Sequence, residues 1–185
     1  MQIAIDTSIL SLLLRPGSVS APADPRTGKP IEQLSERLAA LEEALRDRSM
    51  RVLIPATVWA EFLVIADKSA QDYLDVVRER ANVRIVPFDE ISAVEAALDQ
   101  RRTLGQQIPV SRQCLKADRQ IVAIAKTKNV DMLYAGDSDF RPIATRMGVP
   151  VTFLWELPVP PSKTPLLDEA DRDATNPDEG KVGDS

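Results

Sequence analysis

Apolar positions along this chain follow two alternating rhythms. Five short runs are apolar with little interruption: Gln2-Ile3-Ala4-Ile5, Val52-Leu53-Ile54, Val83-Arg84-Ile85-Val86-Pro87, Met132-Leu133-Tyr134 and Val151-Thr152-Phe153-Leu154-Trp155. Runs of this length read as strands buried on both faces, as in a parallel sheet. Between them the apolar residues recur every three or four positions, the period of a helix packed on one side. Ile9 to Leu14 begins one such helix, stopped by Pro16 and Gly17. Residues 31–48 form another, with Ile31, Leu34, Leu38, Leu41 and Leu45 on one face and alternating acids and bases on the other. Further helices are predicted over 56–68 (with Thr57 as a candidate cap), 72–81 and 90–104, from Lys116-Ala117-Asp118 onward, and over 142–147. Strands alternating with helices predict an α/β fold, a three-layer α/β/α sandwich around a mainly parallel sheet of about five strands.

Two segments fall outside that rhythm. Residues 16–30 are rich in Pro, Gly, Ser and Asp and read as a loop, so about 15–51 forms a longer loop-helix segment within a domain spanning 1–157. From Pro158, four prolines in eight residues and then an aromatic-free acidic run read as a disordered tail over 158–185. Residues 168–185 carry seven acids and two bases, which equals the whole net charge of −5. The body is therefore electrically balanced.

Composition narrows the chemistry. One cysteine among 185 residues excludes an internal disulfide and fits a reducing cytoplasm. No segment approaches the roughly 20 apolar residues of a membrane helix, and Asp6 breaks the first apolar stretch too early for a secretory signal. Histidine is absent, which removes serine–histidine and cysteine–histidine nucleophile pairs and histidine-ligated zinc. Carboxylates, hydroxyls, Lys, Arg and a hard metal ion remain.

The acids are placed suggestively. Asp6 follows the first strand, which is expected to be central, and Asp137 and Asp139 follow the fourth in Gly136-Asp137-Ser138-Asp139. In open parallel sheets, ligands collect beyond the carboxyl ends of the strands. Glu61 lies in the apolar stretch Val58 to Val64, where a carboxylate is costly unless paired or bound to a cation. Asp118 opens a helix, where the helix dipole favours a negative charge. Each position has an ordinary structural explanation, as a cap, a turn residue or a helix-start acid. Together, Asp6, Glu61, Asp118 and Asp137 can converge on one sheet edge, and carboxylates crowded there raise one another's pKa. A divalent cation relieves that conflict, and oxygen-only ligation suits Mg²⁺ or Mn²⁺. The chemistry that follows is metal-assisted hydrolysis of a phosphodiester, with no protein nucleophile.

On these residues the chain resembles the PIN-domain ribonucleases, and within them the VapC-like toxins of toxin–antitoxin pairs. The matching pieces are Ile5-Asp6-Thr7-Ser8-Ile9-Leu10, Ile54-Pro55-Ala56 leading to Ala60-Glu61, Lys116-Ala117-Asp118 with Ile121 to Ala125, and Asp137-Ser138-Asp139-Phe140. The resemblance implies a PIN-like fold, metal ligation by Asp6, Glu61, Asp118 and Asp137 with Asp139 as a further acid, and RNA as substrate. It also implies a homodimer and a small cognate antitoxin. Ala135-Gly136 departs from the family, where many members carry Thr and another polar residue. Thr7, Ser8, Arg112, Lys116, Arg119 and Ser138 are the candidates for substrate contact, and Arg101-Arg102 extend the same basic region. Trp59 and Trp155 lie in apolar runs and are expected in the core.

Three other readings stay open on sequence. A haloacid-dehalogenase-type phosphatase would use Asp6 as nucleophile, but the acid it normally carries two residues later is replaced by Ser8, and Glu61 is unexplained. A catalytically silent PIN-like binding module would not need four intact acids. The NYN-type nucleases share a similar Gly-Asp-Ser-Asp-Phe loop and nearly the same chemistry.

Overall fold

The computed structural model describes residues 1–17, 22–105 and 112–159, with only the backbone of 112 and 113. The tail from residue 160 lies outside the described residues. In chain order the elements are β1 (Gln2–Ile5), α1 (Thr7–Leu14), α2 (Leu34–Leu45), β2 (Arg51–Pro55), α3 (Ala56–Ile65), α4 (Ala70–Arg78), β3 (Val83–Val86), α5 (Glu90–Arg102), α6 (Arg112–Thr127), β4 (Met132–Ala135), α7 (Phe140–Met147) and β5 (Val151–Phe153). A 3₁₀ turn, Leu154–Glu156, follows β5.

All five strands are parallel, in the order β3-β2-β1-β4-β5. The central β1 is the most enclosed, with Ile3, Ala4 and Ile5 buried against neighbours on both sides. From β1 the chain moves outward through β2 and β3, then returns to the opposite side of β1 for β4 and β5. The connections leaving β1 and β4 therefore diverge, and a crevice opens between their carboxyl ends. Asp6 and Gly136-Asp137 stand at that crevice, fixed in register by the pairing of Ile5 with Tyr134 and by the hydrogen bond from Asp6 N to Tyr134 O, 3.0 Å.

Several elements depart from the sequence pattern for physical reasons. The helix predicted over 31–48 forms only over Leu34–Leu45, because Gln33 takes a left-handed conformation with φ 52° and turns the chain before it. Ile31 still packs into the core ahead of that turn. Thr57 does not cap α3, whose N-cap is Pro55. The helix carrying Asp118 starts earlier, at Arg112, so Asp118 lies in the second turn of α6 and the first-turn dipole does not account for it. Trp155 belongs to the 3₁₀ turn rather than the strand; it is buried and stacks on Phe153 with ring centroids 4.7 Å apart.

One charged cluster holds three helices together. Asp99 of α5 is 1% exposed and receives Arg119 Nε of α6 at 2.9 Å, together with Arg146 Nε and Nη2 of α7 at 2.8 and 2.9 Å. Arg119 Nη2 also donates to Thr103 Oγ1 at 3.1 Å. Burial alone would push the Asp99 carboxyl up, but the two guanidinium groups more than offset it and hold the carboxyl below its ordinary range. This overturns the placing of Arg119 among the substrate contacts. Its guanidinium is buried and committed to Asp99, since a buried cation without a partner would be too costly. Asp99→Ala leaves two arginines facing each other in a closed site. We expect it to cost about 3–5 kcal/mol, as for other broken buried pairs, measured by denaturant unfolding.

Candidate active site

The site begins at Asp6, the last residue before α1. Its side chain is 2% exposed, and each oxygen is engaged. Oδ1 accepts from Ile9 N at 2.7 Å and so caps α1. Oδ2 accepts from Gly136 N at 2.7 Å, across the crevice. The cap explanation of Asp6 is therefore correct and incomplete, because the same carboxylate also ties the loop after β4 to the start of α1.

Gly136 has a steric reason. A Cβ built there would fall 2.4 Å from Ser8 Cβ, 3.0 Å from Ser8 Oγ and 3.3 Å from Leu154 Cδ1. Only glycine brings the loop close enough for its amide to reach Asp6. The departure noted in the sequence is thus matched to Ser8.

The other acids arrive from different elements. Glu61 lies on the exposed flank of α3 and accepts a hydrogen bond from Thr7 Oγ1 at Oε2, which fixes its carboxylate beside the start of α1. Asp137 is exposed in the β4–α7 loop, and its Oδ1 accepts from Asp139 N at 2.9 Å. Asp139 stands at the N-terminus of α7 without making a side-chain cap. Asp118 faces this group from α6.

The electrostatics link the acids to one another. Burial pushes the Asp118 carboxyl up to about 7, and the negative charges of Asp137, Asp139, Glu61 and Asp6 all add to the rise. Asp6 is raised to about 6, mainly by burial and further by Asp137, against the lowering effect of its backbone hydrogen bonds. Asp139 is raised by burial and by Asp137. Among the described residues, none of these five acids forms a salt bridge with Lys or Arg. Nor are any three gathered tightly enough to grip a metal ion as they stand. Like charges without a counterion are expected to stand apart, and the exposed Glu61 and Asp137 have room to turn inward. As a donor set of hard oxygens with uncompensated charge, the cluster fits a divalent cation such as Mg²⁺ or Mn²⁺.

The remaining candidates divide. Thr7 contacts Glu61, while Ser8 and Ser138 lie beside the acids in sequence and are solvent-accessible. Lys116 is exposed on α6, two residues before Asp118. The side chain of Arg112 lies outside the described residues.

A family model described as the PIN domain matches residues 31–145. The chain belongs to the PIN-domain family. The match takes in Glu61, Asp118, Asp137 and Asp139; Asp6 precedes it and joins them through the fold. Among solved structures, this PIN domain is similar to FitAcB from Neisseria gonorrhoeae, with 25% identity, a TM-score of 0.52 and coverage of 84% of this chain and 99% of that one. It is also similar in fold to VapBC2 from Rickettsia felis bound to a promoter DNA fragment, with 15% identity, a TM-score of 0.56 and coverage of 83% and 98%. DNA-bound VapBC from Salmonella typhimurium gives 15% identity, a TM-score of 0.53 and the same coverage. No curated protein matches the chain.

Two outcomes follow from this geometry. Gly136→Ala should destabilise the protein by about 1–3 kcal/mol through overpacking, and adding Ser8→Gly should restore much of the loss in the same unfolding assay. Asp118 holds its proton in the fold at pH values where the unfolded chain has released it, so the metal-free protein should gain stability as pH falls from about 8 to 5. Asp118→Asn should weaken that dependence, leaving the part due to Asp6, and add about 1–2 kcal/mol at pH 8, less than the full shift implies because solvent reaches part of the carboxyl. A variant less stable than the wild type at pH 8 without metal would contradict the crowding.

Proposed function

We propose that this PIN domain is a metal-dependent endoribonuclease, the toxin of a toxin–antitoxin pair. The observation that carries the reading is the meeting of Asp6, Glu61, Asp118, Asp137 and Asp139 at one crevice without a Lys or Arg partner among the described residues. A cluster of that kind, drawn from the N-cap of α1, from α3 and α6, and from the β4–α7 loop, is poorly suited to a purely structural role because it weakens the fold that holds it.

In this reading Asp6, Glu61, Asp118 and Asp137 hold a divalent cation, with Asp139 behind them. The cation, when bound, supplies Lewis-acid polarisation of the phosphodiester and of the attacking water. The chain supplies placement. Asp6 is held rigid by two backbone amides, and Thr7 orients Glu61. Lys116, exposed near Asp118, offers a positive charge to the RNA backbone. No side-chain nucleophile is needed, in keeping with the absence of histidine.

The phosphatase alternative fits less well. The acid it needs two residues after Asp6 is replaced by Ser8, and Glu61, fixed by Thr7 beside the start of α1, would have no part in it. The VapBC and FitAB likeness supports a small cognate antitoxin as partner. An exposed stripe of Ile91, Val94 and Leu98 on α5 supports a homodimer, since such a stripe is costly in water. No helix among the described residues is long and apolar enough to cross a membrane, and a cytoplasmic site of action belongs to the same proposal.

The test is cleavage of a mixed RNA pool by purified protein with Mn²⁺ or Mg²⁺, with EDTA, and beside Asp118→Asn and Asp6→Asn. We expect metal-dependent cutting in the wild type and a loss of at least about 100-fold in each variant, on the scale of removing electrostatic stabilisation from a transition state. Cutting at wild-type level in both variants would overturn the assignment of the acids.

A further inference from the structure

A cavity of about 210 Å³ opens directly beside the acid cluster. Among the described residues its walls are Thr7, Ser8, Ser11 and Leu12 of α1, Pro22, Ile65 at the end of α3, and Gly136. Two of these residues are shared with the site. Gly136 donates its amide to Asp6, and Thr7 donates its hydroxyl to Glu61. A group bound in the cavity therefore sits next to whatever the carboxylates hold.

We propose that this cavity receives one unpaired nucleobase of the substrate, next to the phosphodiester that is cut. The proposal rests on the nuclease reading and adds to it the means by which RNA is selected. Three observations support a base. The cavity is smaller than the about 300–1,000 Å³ pockets that take larger ligands, so one ring system fills it. Its walls are mainly apolar, and Ile65 is 48% exposed, an apolar surface that a flat base would cover. Its polar edge is made of hydroxyls. Ser11 Oγ donates to Thr7 O and Thr7 Oγ1 to Glu61, whereas Ser8 Oγ makes no hydrogen bond among the described residues. A serine hydroxyl can donate to or accept from a base edge, and single-stranded RNA is ordinarily read through bases turned out of the stack.

Gly136 also has a part in this arrangement. Without a Cβ it packs directly against Ser8, so the same residue that lets the loop reach Asp6 sets the inner wall of the cavity beside that hydroxyl.

The experiment uses the full chain, metal-free, titrated with the four neutral ribonucleosides and followed by NMR of the Ile65 methyl and the Gly136 amide. Neutral probes avoid repulsion from the acids and report the cavity without any cleavage. We expect saturable millimolar shifts at both positions, with one nucleoside preferred. Ile65→Asp, at an exposed position, should weaken binding at least about fivefold, and Ser8→Ala should reduce the preference between nucleosides. No saturable response at Ile65 and Gly136, or equal binding by wild type and Ile65→Asp, would overturn the proposal. The two readings fail separately. Nucleoside binding without RNA cleavage would sink the nuclease and keep the cavity, whereas cleavage without nucleoside binding would do the reverse.

Discussion

The buried carboxylate of Asp6 is the constraint on which the crevice depends. One oxygen holds the first amides of α1 and the other holds the loop after β4, so two connections that diverge from adjacent strands are pinned at a single point. A neutral side chain at this position could not accept both bonds equally well, and a buried amide left without an acceptor is expensive. The charge is therefore required by the backbone before any ligand is considered. It then imposes a second constraint, because every further acid brought to that point raises the energy of the first.

The fold separates its two charge clusters accordingly. On the face carrying α5, α6 and α7, Asp99 is matched by Arg119 and Arg146 and nearly sealed from water. At the carboxyl edge of the sheet, five acids stand without a salt-bridge partner among the described residues. The first cluster binds elements together and is satisfied in the protein alone. The second is left unbalanced, and such local conflict, held in place by a well-packed remainder, is characteristic of functional sites.

Most of the architecture was legible in the sequence because parallel strands announce themselves. β1 through β4 appear as short apolar runs, and the alternation with helical periods leaves little choice of fold class. Asp6 and Asp137 were legible for a related reason, since residues just beyond strand ends must lie at the sheet's carboxyl edge, whereas Glu61 and Asp118, carried within helices, were tied to that edge by the family resemblance. What could not be read was decided by single contacts across the fold. Arg119 looked like a neighbour of Asp118 in a groove, and nothing local revealed Asp99, twenty residues away, as its partner. Gly136 looked like a lost polar residue until Ser8 was found against it. The early start of α6 and the left-handed turn at Gln33 were likewise hidden, because helix ends depend on caps and packing that periodicity does not encode.

The two clusters meet in α6. Asp118 and Arg119 are consecutive, and successive residues of a helix point about 100° apart. The buried Ile121 to Ala125, together with Arg119 locked onto Asp99, fix the rotation of α6 about its axis, and that rotation turns Asp118 toward Asp6, Glu61 of α3 and the acids of the β4–α7 loop. A helix free to turn would relieve the repulsion by moving Asp118 toward solvent. The satisfied ion cluster thus works with the apolar core to keep the unsatisfied one assembled, and because Arg146 belongs to α7, the helix that follows Asp137 and Asp139, the same clamp restrains both sides of the crevice.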